Sequence, residues 1–142
     1  MDRIDILIAR EEIKELKSCY FRATDAHDYE LFGSLFTEDA VFESGEFGGP
    51  TSINMSGREA IIAGTKAASG GAVKIHHGHN CEISFPEAGR AEGIWSAEYR
   101  FFEGEPRKQT RHSFVYYYED YVRVGDRWLI SRLRLLHIHS MI

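Results

Sequence analysis

Three histidines lie close together in residues 75–80 (IHHGHN), where the sequence begins to read as a strand. An imidazole loses its proton near neutral pH, so histidine is well suited to taking a proton from a substrate. Because side chains alternate along a strand, His76 should face one side of the sheet and His77 the other. One of the two should face the interior as a general base, with Gly78 leaving room beside the ring. Surface or edge positions for all three histidines are the alternative.

A carboxylate on the other ring nitrogen would fix the tautomer of such a histidine and stabilise its protonated form. Asp25, at the end of the first predicted helix and near Tyr20, is the candidate. An acid in the last turn faces the negative end of the helix dipole, at a cost of roughly 0.3–1 kcal/mol, which a nearby histidine would offset. On an ideal helix Asp25 lies beside Phe21, away from the apolar stripe, so this role requires a bend or a second buried side. The alternative is a solvated loop acid, with Tyr20 packed in the core.

Other polar residues could also carry chemistry. His137 and His139 lie two apart, and His112 is on another predicted strand. A same-face pair of histidines can bind metal, but no acidic residue is obvious in register, so no metal is expected. Glu98 and Tyr99 are neighbours in mid-strand, and one of them should point inward. A buried Glu98 would need a partner or a raised pKa.

Three helices are predicted in the first half of the chain. Apolar residues recur at helical spacing over 13–27, with charged residues on the opposite side. Asp28 resembles the N-cap of a short second helix over 29–35. A third helix should begin at a capping box in residues 56–59 (SGRE) and end at the next pair of glycines.

Strands dominate the rest. Residues 40–42 predict a short strand, and 45–54 are too rich in turn residues for regular structure, so a loop near a pocket mouth is expected. Four long runs rich in aromatic and β-branched residues follow at 73–85, 90–103, 107–123 and 127–139. Their breaks are short, so neighbours should pair antiparallel.

Helices first and a long antiparallel sheet afterwards predict an α+β fold. Long strands twist and curl, so the helices can cover the concave side, and space left between them would form a pocket. The 142 residues fit one domain over 1–142.

Composition excludes several classes of function. The formal net charge is −5 with acids spread along the chain, which disfavours nucleic acid as a partner. Cys19 and Cys81 show neither metal nor disulfide spacing and are expected to be buried in a reducing compartment. No signal peptide or membrane span is evident, so a cytoplasmic location is expected. Phosphate-binding and nucleophile-elbow motifs are missing from the sequence, which argues against nucleotide use and covalent serine chemistry.

Three stretches carry a family resemblance: 13–28, 35–42 (LFTEDAVF) and 121–130 (YVRVGDRWLI). They resemble SnoaL-like domains of the nuclear transport factor 2 superfamily over nearly the whole chain. The resemblance implies a cone-shaped α+β fold, in which a curved antiparallel sheet (a half barrel) packs on about three N-terminal helices. Within the superfamily the sequence is most similar to the branch of scytalone dehydratase, hexachlorocyclohexane dehydrochlorinase and bile-acid 7α-dehydratase.

That branch pairs an aspartate at the end of the first helix with a histidine on the first long strand. The resemblance therefore implies that Asp25 and His76 are catalytic, with His77 as the fallback if the register slips by one residue. Tyr20 matches a tyrosine that precedes the aspartate in the bile-acid enzyme.

Supporting or substrate-binding roles are expected for a further set of residues: His77, Glu98, Tyr99, His112 and Arg132. On the last strand, either Leu133 or the arginines Arg132 and Arg134 should face inward.

The expected function is a cofactor-independent lyase, a dehydratase or dehydrohalogenase, acting on a small cyclic and mostly apolar substrate. An isomerase or hydrolase with the same dyad is the near alternative, and a non-catalytic ligand-binding or assembly subunit is the alternative from another class. The resemblance also implies a homo-oligomer, a dimer or trimer.

Overall fold

A computed structural model describes residues 1–141. The elements in this part of the chain follow in the order α1 (Arg3–Asp25), α2 (Tyr29–Ser34), β1 (Phe36–Glu46), β2 (Thr51–Ser56), α3 (Arg58–Ser69), β3 (Val73–Glu87), β4 (Arg90–Glu103), β5 (Lys108–Val124) and β6 (Arg127–Met141). The predicted α+β plan of early helices and a long late sheet is confirmed.

The six strands form one open sheet in the order β2-β1-β6-β5-β4-β3. The predicted meander is confirmed, since β3, β4, β5 and β6 pair antiparallel in sequence. One feature differs from the expected antiparallel sheet, because β1 pairs parallel with β6 and the sheet is therefore mixed. The chain can make this parallel pairing because α3 and the long meander connect the two strands, as a crossover must.

Irregularities in pairing bend the sheet around the helices. The register shifts in β3 between Gly78 and Cys81, and in β5 between Phe114 and Val115. Such bulges increase the local twist and curl long strands. The helices cover the concave face, where α1 packs against β3 and β6, and α3 packs against β1.

Helix α1 is buried on two sides, which explains how Asp25 reaches the sheet. The predicted stripe is buried at Ile13, Leu16 and Tyr20. A second buried side includes Phe21, which occupies the space left by Gly78 on β3: a Cβ on Gly78 would lie 2.5 Å from Phe21 Cε2. The space beside Gly78 is therefore occupied by the Phe21 ring, whereas the sequence predicted that it would make room for a histidine ring.

Two local predictions in the first half were wrong. Residues 45–54 are not a loop throughout, because β1 extends to Glu46 and pairs with β2, whose strand hydrogen bonds satisfy the backbone of this polar segment. The expected capping box at the start of α3 is also not formed. Gly57 is the N-cap without a side-chain hydrogen bond, and the Ser56 hydroxyl instead donates to Asn54 Oδ1 at 3.3 Å.

The other helix boundaries follow the expectation. Asp28 caps α2 by accepting a hydrogen bond from the Leu31 N–H at 3.1 Å, and α3 ends at Gly70. Both cysteines are free and only partly buried, not fully buried as expected. Within residues 1–141, no helix is both long and apolar enough to cross a membrane.

Candidate active site

Asp25 and His76 form a hydrogen-bonded pair between the end of α1 and the start of β3. The carboxylate accepts from the His76 ring at 2.5 Å (Nδ1 to Oδ1) and from the His76 backbone N–H at 2.9 Å (to Oδ2). These two bonds offset the unfavourable position of an acid at the negative end of the helix dipole. With Nδ1 donating to the carboxylate, the lone pair of the neutral ring is on Nε2.

The surroundings of His76 favour the neutral ring. Burial lowers the pKa of His76, and the nearby charges of Lys74 and Lys17 act in the same direction, against the hydrogen bond and charge of Asp25 that raise it. The imidazole lies between two aromatic rings that are roughly parallel to it, with centroid distances of 5.9 Å to Phe21 and 5.3 Å to Tyr99. A neutral imidazole that is held in this way can act as a base at neutral pH.

His76 lines a cavity of about 390 Å³ between the concave sheet face and the helices. Small-molecule sites usually span about 300–1,000 Å³. Tyr20, Tyr99 and Tyr117 also line it, together with apolar side chains at Phe42, Ile53, Met55, Phe101 and Leu135. Asp25 does not line the cavity, since it lies behind the His76 ring with 27% of its side chain exposed.

A buried ion pair supports the tyrosines at the base of the cavity. Lys17 donates to Glu119 at 2.7 Å, and both side chains are fully buried. Burial lowers the pKa of Lys17 to about 8, although Glu119 attracts the proton. The Lys17 ammonium lies 3.8 Å from the Tyr20 ring centroid and 3.6 Å from that of Tyr117, which fixes both rings by cation–π attraction.

The two tyrosine hydroxyls remain protonated at any physiological pH. Burial, followed by the charge of Glu119, raises the pKa of Tyr20, and burial raises that of Tyr117. The Tyr117 hydroxyl is buried and has no hydrogen-bond partner within residues 1–141.

The structure places the predicted site residues in two groups. Tyr20, His76 and Tyr99 line the cavity, and Asp25 is bonded to His76. His76 rather than His77 faces inward, because His77 is exposed on the opposite face of β3.

The expected supporting roles of four residues do not agree with their positions. His77, Glu98, His112 and Arg132 are not part of the cavity wall, because strand alternation directs them to the outer face. Arg132 is exposed and pairs with Glu43 at 2.8 Å, while Leu133 is fully buried in the inward position.

Glu98 belongs to a hydrogen-bonded cluster on the outer face. It accepts from His79 at 2.8 Å and from His112 at 2.9 Å. These bonds lower the pKa of Glu98 to about 2, which is opposite to the rise considered for an unpartnered buried acid. Glu98 is therefore a carboxylate that binds other residues of the chain.

Sequence reasoning missed several polar side chains in the cavity wall, and two of them lie beside predicted site residues. His137 lines the cavity and accepts a hydrogen bond from the Tyr99 hydroxyl at 2.7 Å on Nε2, while Nδ1 donates to Gly45 O at 3.2 Å. Lys74 lies two residues before His76 on the same strand face. The alternation that singled out His76 also applies to position 74.

Two histidines on one face of a strand can bind metal, and His137 and His139 are such a pair by spacing. Across the described residues, no group of three or more His, Cys, Asp or Glu side chains is arranged to hold a metal ion. His139 is exposed and His137 is bonded to Tyr99, so the two do not converge on one point.

An open curved sheet over three helices, with a cavity between them, defines a nuclear transport factor 2-like domain. The sequence profile of the SnoaL-like domain matches residues 5–134, and the chain belongs to that family. No curated protein matches the sequence.

Solved structures share this fold at low sequence identity. A candidate scytalone dehydratase from Novosphingobium aromaticivorans DSM 12444 superposes with a TM-score of 0.85 at 18% identity, over 95% of this chain and 87% of that chain. The hexachlorocyclohexane dehydrochlorinase LinA-type3 from Novosphingobium barchaimii LL02 gives 0.79 at 20% identity, over 99% and 93%. A protein of unknown function from Mycobacterium tuberculosis gives 0.81 at 20%, over 96% and 76%. At these identities the similarity establishes the fold.

Proposed function

We propose that this protein is a cofactor-independent lyase, a dehydratase or dehydrohalogenase that acts on a small cyclic and mostly apolar substrate. The observation that supports this function best is the Asp25–His76 pair at the cavity wall, with Nδ1 and Oδ1 2.5 Å apart. Nε2 has no hydrogen-bond partner in the described chain, and its ring lines the cavity.

In the proposed reaction, His76 Nε2 removes a proton from a substrate carbon. The C–H electron pair becomes the new double bond. The leaving group departs from the neighbouring carbon with the electron pair of the bond that joined it to that carbon. Asp25 stabilises the imidazolium that forms. In a dehydration the imidazolium then returns its proton to the departing hydroxide as water, whereas in a dehydrohalogenation a halide leaves and the proton passes to solvent.

Tyr20 supplies a hydrogen bond to a carbonyl or to the leaving group. Its raised pKa keeps it a donor throughout the reaction. A positioned base contributes about 10²–10⁴-fold to such a rate, and orientation of the substrate within the cavity must supply the rest. An isomerase or a hydrolase could use the same base.

A ligand-binding or assembly subunit without catalysis is the alternative from another class. An assembly subunit is expected to have a filled cavity and an apolar outer sheet face. The 390 Å³ cavity and the charged cluster around Glu98 on the outer face both favour the enzyme over an assembly subunit.

The test is turnover of a panel of hydroxylated and halogenated ring compounds. Turnover is measured as chloride release and as the absorbance of the new double bond. Asp25→Asn and His76→Ala should each reduce kcat by about 10²–10⁴-fold. His77→Ala is the matched control, because this neighbour is exposed on the opposite face, and it should retain full activity. Equal turnover by wild type and both dyad variants would rule out the dyad mechanism.

A further inference from the structure

Lys74 is a buried cation that lines the cavity, and the mechanism above does not use it. It is 3% exposed, lies on β3 and lines the cavity beside His76. The two side chains are on the same face of the strand, two residues apart, so their Cα atoms are separated by about 6.6–7 Å. A ligand that reaches His76 therefore also meets Lys74.

The hydrogen-bond partners of Lys74 are all uncharged. Its Nζ donates to Ser69 Oγ at 2.7 Å, to Thr24 Oγ1 at 2.9 Å and to the Tyr29 hydroxyl at 3.5 Å. No carboxylate of the described chain lies within ion-pair distance of it. The other buried lysine differs, since Lys17 has a carboxylate at 2.7 Å.

A buried ammonium without a counter-ion is unfavourable, because the surrounding hydroxyls replace only part of its hydration. The same burial lowers the pKa of Lys74. Asp25 is not a close counter-ion, since no contact within 4.0 Å joins it to Lys74, and its charge opposes the effect of burial on the pKa of Lys74 only in part. An anion in the cavity would complete the charge balance at this point.

Two hydrogens at this point are available to a ligand. The bond from Lys74 to Tyr29 is 3.5 Å long, outside the usual range of about 2.7–3.2 Å, so that N–H can turn to a better acceptor. The Thr24 hydroxyl accepts from Lys74 and donates to no group within residues 1–141. The Ser69 hydroxyl is not available, because it donates to Thr65 O at 2.7 Å.

We propose that Lys74 and Thr24 form an anion-recognition subsite, and that the substrate is a cyclic carboxylate whose ring packs in the apolar part of the cavity. This inference builds on the proposed function, because it names the substrate class of the same site. The carboxylate oxygens accept one hydrogen bond from the ammonium and one from the threonine hydroxyl. The ring then contacts the apolar side of the cavity, where Phe42, Met55 and Leu135 contribute to the wall.

Paired probes that differ only in charge provide the experiment: 2-naphthoate and the uncharged, similarly shaped 2-naphthamide. Their dissociation constants would be measured by calorimetry. Wild type should bind 2-naphthoate at least about tenfold more tightly than 2-naphthamide, as expected for a charge-assisted hydrogen bond. Lys74→Met should abolish this preference and Thr24→Val should reduce it. Lys66→Met, on the exposed surface of α3, is the matched control and should retain it.

A second measurement applies if Lys74→Met fails to fold. The side-chain ¹⁵N resonance of Lys74 in the wild type should shift on addition of 2-naphthoate and not on addition of 2-naphthamide. Equal affinity of the wild type for the two probes, no binding of 2-naphthoate at millimolar concentration, or an unchanged preference in Lys74→Met would overturn the subsite.

The same titration in Asp25→Asn separates the two proposals. The preference for the carboxylate should persist in this variant, because the subsite does not use the dyad. If the preference persists but no turnover depends on the dyad, the lyase proposal is refuted and the subsite proposal is supported. If turnover depends on the dyad but the protein binds both probes equally, the subsite proposal is refuted and the lyase proposal is supported.

Discussion

Replacing Asp25 with asparagine should reverse the tautomer of His76. The carboxylate accepts two hydrogen bonds from this histidine, at 2.9 Å from the backbone N–H and at 2.5 Å from Nδ1. An amide has one oxygen and one NH₂ group, so it can accept only one of them. If the oxygen keeps the backbone N–H, the NH₂ group faces Nδ1, which must then accept, and the ring proton moves to Nε2.

The opposite orientation of the amide is less favourable. It would place the NH₂ group against the backbone N–H, and an unsatisfied backbone donor costs about 1–3 kcal/mol. With the proton on Nε2, the lone pair that should face the substrate is gone. The expected loss is about 10²–10⁴-fold in kcat, or about 3–5 kcal/mol of transition-state stabilisation. Stability should fall by about 1–3 kcal/mol, the lost charge-assisted bonds, and the 27% exposure of Asp25 favours the lower end.

Long-range ¹H–¹⁵N NMR of the imidazole reports the tautomer directly and requires no substrate. The wild type should show a protonated Nδ1 and a bare Nε2, and Asp25→Asn should show the reverse. Asp28→Asn is the control, because asparagine caps a helix as well as aspartate and Asp28 only caps α2. An Asp25→Asn protein that keeps its ring proton on Nδ1 would refute this reasoning.

Three further outcomes are expected. Glu119→Gln should lower the free energy of urea unfolding by about 3–5 kcal/mol, because fully buried Lys17 loses its counter-ion. Gly78→Ala should lower it by about 1–3 kcal/mol and shift the His76 ring resonances, because the new Cβ would lie 2.5 Å from Phe21. In acid titrations kcat/KM should fall only below the ordinary histidine pKa of about 6.5, because burial lowers the pKa of His76 and keeps the base neutral above it.

Each outcome has a matched control or a contrary result. Glu11→Gln removes an exposed pair with Lys14 and should change stability by at most about 1 kcal/mol; a similar small change in Glu119→Gln would contradict the cost of unpaired burial. Gly71→Ala should be harmless, since a Cβ there meets nothing within 4 Å, and equal stability of the two alanine variants would argue against crowding at Phe21. A decline of kcat/KM that begins above pH 6.5 would mean that Asp25 raises the pKa of His76 by more than burial lowers it.

Local patterns in the sequence predicted most of the elements correctly. The Asp28 cap, the end of α3 and the four-strand meander depend on neighbouring residues and on short turns, which a local reading captures. The predictions for residues 45–54 and for the start of α3 were wrong, because local composition did not decide the structure there. The β1–β2 pairing overrides turn-rich composition, and a glycine took the place of the expected serine cap.

The candidate site was predictable only in part. Strand alternation separated His76 from His77, and the family resemblance selected Asp25. Alternation could not say which face of β3 is inside, because that depends on how α1 packs across it. Association into a dimer or trimer and a cytoplasmic location stay predictions.

By itself, the sequence determined most of the element types, the meander and the choice of two residues that could share a proton. Tertiary structure alone decided the 2.5 Å contact between Asp25 and His76, the exclusion of Glu98 and Arg132 from the cavity, and the entry of His137 and Lys74 into its wall. The physical reason is range. Capping, turns and alternation act over a few residues, whereas a cavity is the space left when side chains from distant parts of the chain pack around it.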